Sequence, residues 1–345
     1  MLSPPIAILN AGLVTSIGRT AAATCAALRA GATNPTETRF MGRDGQWIMA
    51  HQVAMEHPWS GRVKLVKLAA SAIVECLQPL QPEKCEGLPL LLCVAEMERP
   101  GRTNGLQDQL FTELQTELGL HFHPRHSEVI AMGRPGALLA LMHARRLIVE
   151  ESVRHVLIVA TDSLLTWQTL MTYGQQDRLL TESNSNGFMP GEGAGAVLVG
   201  KGDGRSAELL CVGLGAGIEP APLLSGKPLR ADGLTTAIKE ALADADCEMH
   251  ELDFRITDIS GEQYFFKEAA LALTRTLRQR KEEFDLWHPA EGIGEAGALA
   301  GPAVIASAFS ACRKGYAKGP RILLHSSDDS NQRIAAILAW TGAAR

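Results

Sequence analysis

Two hydrophobic patterns alternate along the chain. Short apolar runs are typical of strands buried on both faces, and apolar residues that recur every three or four positions are typical of amphipathic helices. The pattern predicts strands at residues 5–14, 46–53, 88–95, 155–160, 196–200, 207–214, 254–259, 283–287, 321–325 and 334–340. It predicts helices at residues 20–29, 62–77, 104–118, 137–150, 234–243, 260–280 and 292–311. Such alternation indicates an α/β protein.

Both halves of the chain share this rhythm. A strand, a glycine-containing turn and an alanine-rich helix follow one another at residues 130–150 and again at 290–312. The length suits two domains or one duplicated α/β unit. We therefore predict two related halves, residues 1–203 and residues 204–345.

The composition is that of an ordinary globular protein, since 46% of the 345 residues are hydrophobic and 21% are charged. A net charge of −5 provides no basic face for nucleic acid. No basic segment precedes the first apolar run, so we expect no signal peptide. The longest apolar tract, residues 296–312, contains Gly301 and Pro302 and fits a buried helix better than a membrane span.

The residues that commonly bind metals show no metal-binding spacing. His121, His123 and His126 lie close together, but no further ligands complete a site, so we favour a polar interface loop there. The odd number of cysteines, without a C-x-x-C pair, predicts reduced thiols and a cytoplasmic protein. These cysteines are Cys25, Cys76, Cys85, Cys93, Cys211, Cys247 and Cys312. We predict neither a metal nor a cofactor.

The most distinctive segment is glycine-rich. Residues 187–195 read Gly-Phe-Met-Pro-Gly-Glu-Gly-Ala-Gly and continue into the apolar run 196–200. Taken alone, the segment is a turn that enters a core strand. The full string closely resembles the G-F-x-x-G-E-G-A-G-x-x-L-V segment of β-ketoacyl synthases, enzymes of the thiolase fold. Residues 12–18 similarly resemble the family's G-x-V-T-x-x-G pattern. The resemblance implies a thiolase-like fold, with two pseudo-duplicated βαβαβαββ halves in an αβαβα five-layer architecture.

The resemblance extends to the segment that holds the family's nucleophile. Residues 127–136 lead into the predicted helix 137–150 in the order of the family's elbow, which places a cysteine at a helix N-terminus. There the helix dipole and free N–H groups lower the thiol pKa and hold a thioester oxyanion. Alignment of the family pattern Ala-Cys-x-x-Gly on Gly133 puts the cysteine position at Ile130. Because isoleucine is not a nucleophile, we expect no acyl-enzyme.

The family's two catalytic histidines are also missing. The first stands in a His-Gly-Thr segment after a strand, and the corresponding residue here is Ser260. The second precedes a Gly-Ala-Ala-Gly helix start by three residues, which corresponds to Glu291. The family's Gly-Phe-Gly-Gly gate loop is replaced by Ser-Asp-Asp-Ser-Asn at residues 327–331. With Ile130, these substitutions remove the catalytic set, so we predict no catalytic residue.

Several polar residues would lie in the ancestral pocket under this alignment. Besides Ser260 and Glu291, the binding candidates are Arg134, Glu192, Glu295, Asp328 and Asp329. Of these, Ser260, Glu291, Glu295, Asp328 and Asp329 either form a new polar site for a cationic ligand or line a filled cavity with solvated acids. We favour the filled cavity because no replacement catalytic pattern is present. For Arg134, a salt bridge with Glu128 or Glu192 is favoured over an acidic ligand, since a buried arginine needs a partner.

Three functions are compatible with this sequence. The leading hypothesis is a non-catalytic, homodimeric ketosynthase-like scaffold or partner subunit, either of the polyketide and fatty-acid type or an accessory of a bacterial type VI secretion effector. Its protein partner would then be an acyl carrier protein, a ketosynthase or a secretion effector. The alternatives are an acyltransferase of the 3-oxoacyl-ACP synthase type that uses non-standard residues, and a module that binds an acyl chain without reaction.

Overall fold

Strands and helices alternate throughout the computed structural model, which describes residues 3–202 and 207–342. The strands are β1 (Ile6–Val14), β2 (Thr36–Met41), β3 (Trp47–Ala50), β4 (Leu90–Val94), β5 (Glu128–Ala131), β6 (His155–Ser163), β7 (Glu192–Gly200), β8 (Leu209–Ile218), β9 (Phe254–Thr257), β10 (Leu286–Trp287), β11 (Arg321–Ser327) and β12 (Gln332–Trp340). The α-helices are α1 (Ala21–Arg29), α2 (Gly61–Leu77), α3 (Gln109–Leu118), α4 (Gly136–Val149), α5 (Trp167–Gln175), α6 (Asp232–Asp244), α7 (Gln263–Thr276), α8 (Ala290–Ile293) and α9 (Ala300–Lys314). Within these two ranges, no helix has the length and apolar character needed to span a membrane.

The main sheet has a symmetric strand order. Ten strands follow one another as β10-β9-β11-β12-β8-β1-β7-β6-β4-β5, while β2 and β3 form a separate hairpin. From each end inward, three parallel strands are followed by two antiparallel ones. The two halves meet where β1 pairs antiparallel with β8. This arrangement confirms the pseudo-duplicated α/β architecture. The predicted boundary between residues 203 and 204 lies outside the described residues and remains a prediction.

The helices complete five layers. Helices α4 and α9 contact each other and strands of both halves, so they form the central layer. Helices α2 and α3 pack on the first half of the sheet, and α6 and α7 pack on the second half. Apolar side chains fill the spaces between these layers, which explains why β4 and the segments 156–160 of β6 and 196–199 of β7 are apolar runs.

Two motif glycines lie where a helix closely approaches a strand. A Cβ on Gly195 of β7 would come within 2.5 Å of the Pro302 side chain in α9. A Cβ on Gly12 of β1 would meet the carbonyl oxygen of Ala72 in α2. Both helices could pack at these distances only against glycine, which gives the two sequence motifs a structural reason.

The predicted helix boundaries were wrong at two places that matter for the site. The predicted helix 292–311 is divided into α8, a 3-10 turn and α9. Gly294 and Gly297 have φ values of +70° and +55°, which interrupt a right-handed helix. The predicted helix 260–280 is the shorter α7, which begins only after Gly261, whose φ is +132°, and ends at Thr276. As a result, the segments before α7 and between α8 and α9 are loops, and polar residues on both lie near the turn that follows β5.

Candidate functional site at the turn into helix α4

The site forms at the turn that joins β5 to α4. Gly133 has a φ of +60°, and Pro135 is the residue that precedes the first residue of α4. This geometry places Arg134 at the N-terminus of the buried central helix. Ile130 instead lies inside β5, paired with Cys93 of β4, where its side chain belongs to the core. The expectation that Ile130 occupies the turn is therefore wrong, because Gly133 precedes the turn residue instead of following it.

Arg134 is buried and surrounded by carboxylates. Its Nη1 donates a hydrogen bond to Oε2 of Glu295 at 3.1 Å, and its Nη2 donates to Oδ1 of Asp329 at 2.9 Å. Its Nε lies 3.8 Å from Oδ2 of Asp258. The guanidinium also lies 4.3 Å from the centre of the Phe265 ring. The side chain is thus held on several sides.

The salt bridges expected for Arg134 were assigned to the wrong acids. Glu128 lies at the exposed start of β5 and contacts His143. Glu192 pairs with Lys64, accepts a hydrogen bond from Ser163 Oγ at 3.0 Å and contacts neither Arg134 nor its partners. Glu128 and Glu192 belong to the first half of the chain, as Arg134 does. The acids that contact Arg134 all come from the second half of the chain.

Asp329 joins Arg134 to a second buried arginine. Arg178 donates to both oxygens of Asp329, at 2.7 and 3.0 Å. Arg178 also forms a two-point contact with Glu262, at 2.8 and 2.9 Å. We call Arg134, Arg178, Asp258, Glu262, Glu295 and Asp329 the arginine–carboxylate network. Burial opposes ionisation of Asp329, but Arg134 and Arg178 outweigh this effect and lower its pKa to about 2.

Glu295 and Ser260 bind each other within this site. The Ser260 hydroxyl donates to Oε2 of Glu295 at 2.7 Å, and the Gly297 N–H donates to Oε1 at 3.0 Å. Burial raises the pKa of the Glu295 carboxyl, while Arg134 opposes that shift. Both side chains are thus committed to contacts inside the protein.

Glu291 does not belong to the site. It is exposed on α8 and lies 3.3 Å from Nδ1 of His288, beside a different cavity. The prediction that Glu291 faces the ancestral pocket was therefore wrong. Helix α8 ends before Gly294, so the residue that faces the pocket is Glu295, four positions later.

Asp328 is next to the network but turned toward another arginine. Its carboxylate accepts hydrogen bonds from Ser330 Oγ at 2.6 Å and from the Gln332 N–H at 2.9 Å, and it lies 3.3 Å from Arg333. Arg333 is fully buried and bonds to Glu268 at 2.7 Å. Burial raises the pKa of Asp328. Asp328 thus anchors the loop that presents Asp329.

Little space remains at the network. The cavity bordered by Arg134, Arg178, Glu295 and Asp329 has a volume of ≈ 20 Å³. This is about the space that one water molecule needs. Phe188 and Leu164 close its apolar side. The volume is too small for an acyl chain, which favours a filled cavity over a ligand site at this position. The expectation of solvated acids is wrong, because Glu295 and Asp328 are buried and lie against arginines.

The fold was compared with those of known proteins. No protein-family model matches the sequence, and no curated protein matches it either. Among solved structures, the ishigamide ketosynthase/chain length factor has a TM-score of 0.81 at 16% identity, and the match covers 99% of this chain and 100% of that chain. The ketosynthase in complex with its chain length factor from Xenorhabdus doucetiae has a TM-score of 0.78 at 13% identity, covering 98% of each chain. A type II PKS acyl-carrier protein in complex with its ketosynthase bound to the hexaketide has a TM-score of 0.80 at 14% identity, covering 98% of this chain and 99% of that chain.

The chain has the ketosynthase fold. The thiolase-like fold class predicted from the glycine-rich segment is therefore confirmed. Because the identities are 13–16%, the comparison shows the fold alone. In this ketosynthase fold, the network lies at the N-terminus of the central helix α4, where the resemblance places the nucleophile of the family.

Sequence reasoning missed several members of the site. Asp258 and Glu262 lie two residues before and two residues after Ser260, directly behind β9. Their place beside a predicted site residue could have indicated them from the sequence. Arg178 gave none, because it lies in a polar loop and meets Asp329 from 151 positions away. Nearby, buried Arg99 bonds to Asp162 at 2.9 Å and to Glu96, which adds a further ion cluster on the same side.

The histidine-rich segment lies elsewhere on the ketosynthase fold. The rings of His123 and His126 stack with centres 4.1 Å apart, and His126 lies 3.2 Å from Glu151. In the ranges that the structure describes, no group of histidine, cysteine, aspartate and glutamate residues could hold a metal ion. The role of this segment as an interface loop remains a prediction.

Proposed function

We propose that the chain is a non-catalytic, ketosynthase-like partner subunit that acts through its surface. The observation that carries this proposal is the occupation of the turn into α4 by Arg134, which is bonded to Glu295 and Asp329 around a space of ≈ 20 Å³. The fold is retained, while the place for a reactive thiol and its acyl substrate is filled by ion pairs.

The chemistry of the site supports this proposal. A guanidinium stays protonated and cannot attack a thioester. Ser260 and Glu295 stand in place of the two catalytic histidines that the resemblance implies, and they form a hydrogen bond with each other. The acids of the network also outnumber Arg134 and Arg178, so the site would repel a malonyl carboxylate. An acyltransferase with non-standard residues is therefore the less favoured function.

We propose that the partner of this chain is another protein of the thiolase fold. The chain purified alone would then form a homodimer. The similar structures include a ketosynthase in complex with its chain length factor. Strand β5 lies at one end of the sheet, with β4 as its neighbour, and Val129 and Ala131 on it are half-buried. An open edge can pair with a strand of another chain. The seven free thiols agree with a reducing, cytoplasmic location.

Cerulenin, which alkylates ketosynthase cysteines, is expected to leave the native protein unmodified. Cys93, next to Ile130 on the neighbouring strand, is fully buried, and burial raises the pKa of its thiol. Intact-mass spectrometry after incubation should show no adduct, while iodoacetamide should label all seven cysteines of the denatured chain. The same sample should not decarboxylate malonyl thioesters. Rapid modification of a single cysteine, or turnover that Glu295→Gln abolishes, would support the enzyme function instead.

Val129→Lys is expected to convert the dimer into monomers. Lysine on an edge strand opposes strand pairing because its charge must remain in water. Native mass spectrometry of the wild-type chain should show a homodimer, and Val129→Lys should shift it to monomer with an unchanged far-UV circular dichroism spectrum. Val74→Lys controls for the added charge and should remain a dimer, since Val74 is 59% exposed on α2. Because Val129 packs against the core of the first half, the unchanged spectrum is needed to show that the fold is intact. A monomeric wild type, or a Val129→Lys dimer, would contradict pairing through β5. Co-purification with a cysteine-containing ketosynthase would identify the heterologous partner.

A further inference from the structure

A groove of ≈ 600 Å³ separates the hairpin of β2 and β3 from α5 and the loop that follows it. We call it the hairpin groove. Its first wall is β3, through Trp47, Ile48 and Met49, and its second wall is the segment 179–184. The hairpin groove shares no lining residue with the ≈ 20 Å³ space beside Arg134, so it is a separate feature of the surface.

The hairpin groove runs along the free edge of β3. Side chains of consecutive strand residues point to opposite faces of a sheet, so a cavity that is bordered by three consecutive residues lies at the edge of their strand. Strands β2 and β3 form a two-stranded sheet of their own, in which β3 pairs with β2 along one edge. The other edge of β3 is therefore the one that faces the groove.

The end of this edge already pairs with another part of the chain. His51, the residue after β3, donates its N–H to the Pro190 carbonyl at 2.8 Å and accepts a hydrogen bond from the Glu192 N–H at 3.2 Å. Backbone direction alternates along a strand, so Trp47 and Met49 turn their N–H and carbonyl groups to the same edge as His51. The edge of β3 thus has the geometry to pair with an extended segment.

The backbone groups of Trp47 and Met49 are open to such pairing. In the hairpin, the Gly42 N–H donates to the Gln46 carbonyl at 2.8 Å, which makes Met41 and Trp47 opposite residues without mutual hydrogen bonds. Within residues 3–202 and 207–342, no backbone hydrogen bond joins Trp47 or Met49 to the second wall. An open strand edge of this kind can accept a strand of another chain.

The two faces of the hairpin present different chemistry to an added strand. On the inner face, Ile48 packs against the buried cluster that includes Leu179. On the outer face, Trp47 and Met49 are 47% and 38% exposed, and Glu37 of β2 lies opposite Met49. A strand added to β3 would therefore place its side chains alternately on an apolar face and on an exposed face beside an acid.

The exposed rim of the hairpin groove is acidic. The acids that line it are Glu37, Asp44, Asp177 and Glu182, and in the part of the chain that the structure describes the one basic residue among them is Arg43. Arg43 lies 3.7 Å from Asp177, and both side chains are exposed. Four acids and one arginine give the rim an excess of negative charge, which favours a cationic ligand.

We propose that the hairpin groove binds an extended segment of a partner protein in which apolar and basic residues alternate. The segment adds a strand to β3 and forms hydrogen bonds with the backbone of Trp47 and Met49. Its apolar side chains lie against Ile48 and Leu179, and its lysines or arginines lie on the outer face beside Glu37 and the acidic rim. This binding depends neither on pairing through β5 nor on the absence of catalysis.

The test is a fluorescence-anisotropy titration of the full chain into a fluorescein-labelled peptide, Lys-Val-Lys-Val-Lys-Val-Lys. We expect one saturable site per chain with a Kd below about 100 μM. The peptide Glu-Val-Glu-Val-Glu-Val-Glu should bind about tenfold more weakly, because the acidic rim repels it. The lysine peptide with every backbone N–H methylated should also bind about tenfold more weakly, because it cannot donate hydrogen bonds to β3.

Charge reversal on the protein tests the acidic rim. Glu37→Lys combined with Glu182→Lys, the rim variant, should weaken binding of the lysine peptide about tenfold and strengthen binding of the glutamate peptide. The matched control combines Glu83→Lys with Glu150→Lys, which changes the net charge equally at exposed positions outside the groove. The control should bind both peptides as the wild type does, and far-UV circular dichroism should show the same fold in all three proteins.

The proposal is overturned if the wild type shows no saturable binding of the lysine peptide with a Kd below about 100 μM. It is also overturned if the glutamate or the methylated peptide binds as tightly as the lysine peptide, or if the rim variant binds as tightly as its control. Native mass spectrometry tests the other occupant. A dimer that the rim variant, but not its control, converts into monomers would assign the groove to a second copy of the chain and overturn binding of a partner segment.

Discussion

Arg134→Met should lower the free energy of unfolding by about 3–5 kcal/mol, the usual result of removing one partner of a buried ion pair. The substitution leaves Glu295 and Asp329 buried without their cation, while methionine fills much of the vacated space. Chemical denaturation at pH 7 measures the effect. We expect the secondary structure to persist because the aliphatic core of α4 is unchanged.

The matched control applies the same substitution at the surface. Arg62 forms a two-point contact with Glu113 at 2.7 Å for each bond, but both side chains are partly exposed. Arg62→Met should therefore have a much smaller effect than Arg134→Met, because water screens an exposed ion pair. Adding Glu295→Gln to Arg134→Met should restore part of the lost stability, since one uncompensated charge is removed. Equal effects of Arg134→Met and Arg62→Met would contradict a tightly coupled network.

The fold was predictable because its main signals are local. β4 and β6 are buried on both faces, so each appears as an apolar run in the sequence. The glycines at positions 12 and 195 are required where helices approach strands, so the motif reflects packing. Each of these constraints acts on a short segment, so it is visible in the amino-acid sequence alone.

The site was predictable only in part, and its two errors have one cause. Ile130 was assigned in place of Arg134, and Glu291 in place of Glu295, each four residues early. Each assignment took its glycine to follow the site residue, whereas Gly133 and Gly294 directly precede Arg134 and Glu295. Only the backbone shows this, through φ values of +60° at Gly133 and +70° at Gly294. Long-range pairing, as between Arg178 and Asp329, leaves no local signal.

For the partner subunit proposed above, the network gives a physical reason why the fold persists without catalysis. An enzyme pocket must keep polar groups unpaired and space open for substrate, which costs stability. Here the groups from both halves are paired with each other at the turn into α4, as Arg134 with Glu295 and Arg178 with Asp329. The ion pairs of Arg134 with Glu295 and Asp329 connect the turn before α4 to the second half of the chain. This supports a rigid subunit whose work is done at its surface.

His325→Asn should reduce the sensitivity of the protein to acid. His325 is buried on β11, with Nδ1 3.1 Å from Thr257 Oγ1, and burial lowers its pKa to about 3, with a smaller contribution from Arg255. The unfolded chain takes up this proton near pH 6.5, whereas the folded chain does not. Stability is therefore lost as the pH falls from about 6.5 toward the folded pKa. Asparagine can retain the contact with Thr257 and does not titrate.

The measurement is the difference in unfolding free energy between wild type and His325→Asn as a function of pH. The wild type should be the more stable at pH 7, and its advantage should shrink by about 2 kcal/mol by pH 5, the linkage expected for one proton. Carboxylates of the network are present in both proteins, so their titration largely cancels in the difference. Leu324→Val, at the next buried position of β11, should show a difference that does not change with pH. A constant difference for His325→Asn would mean that the folded protein also protonates His325 in this range.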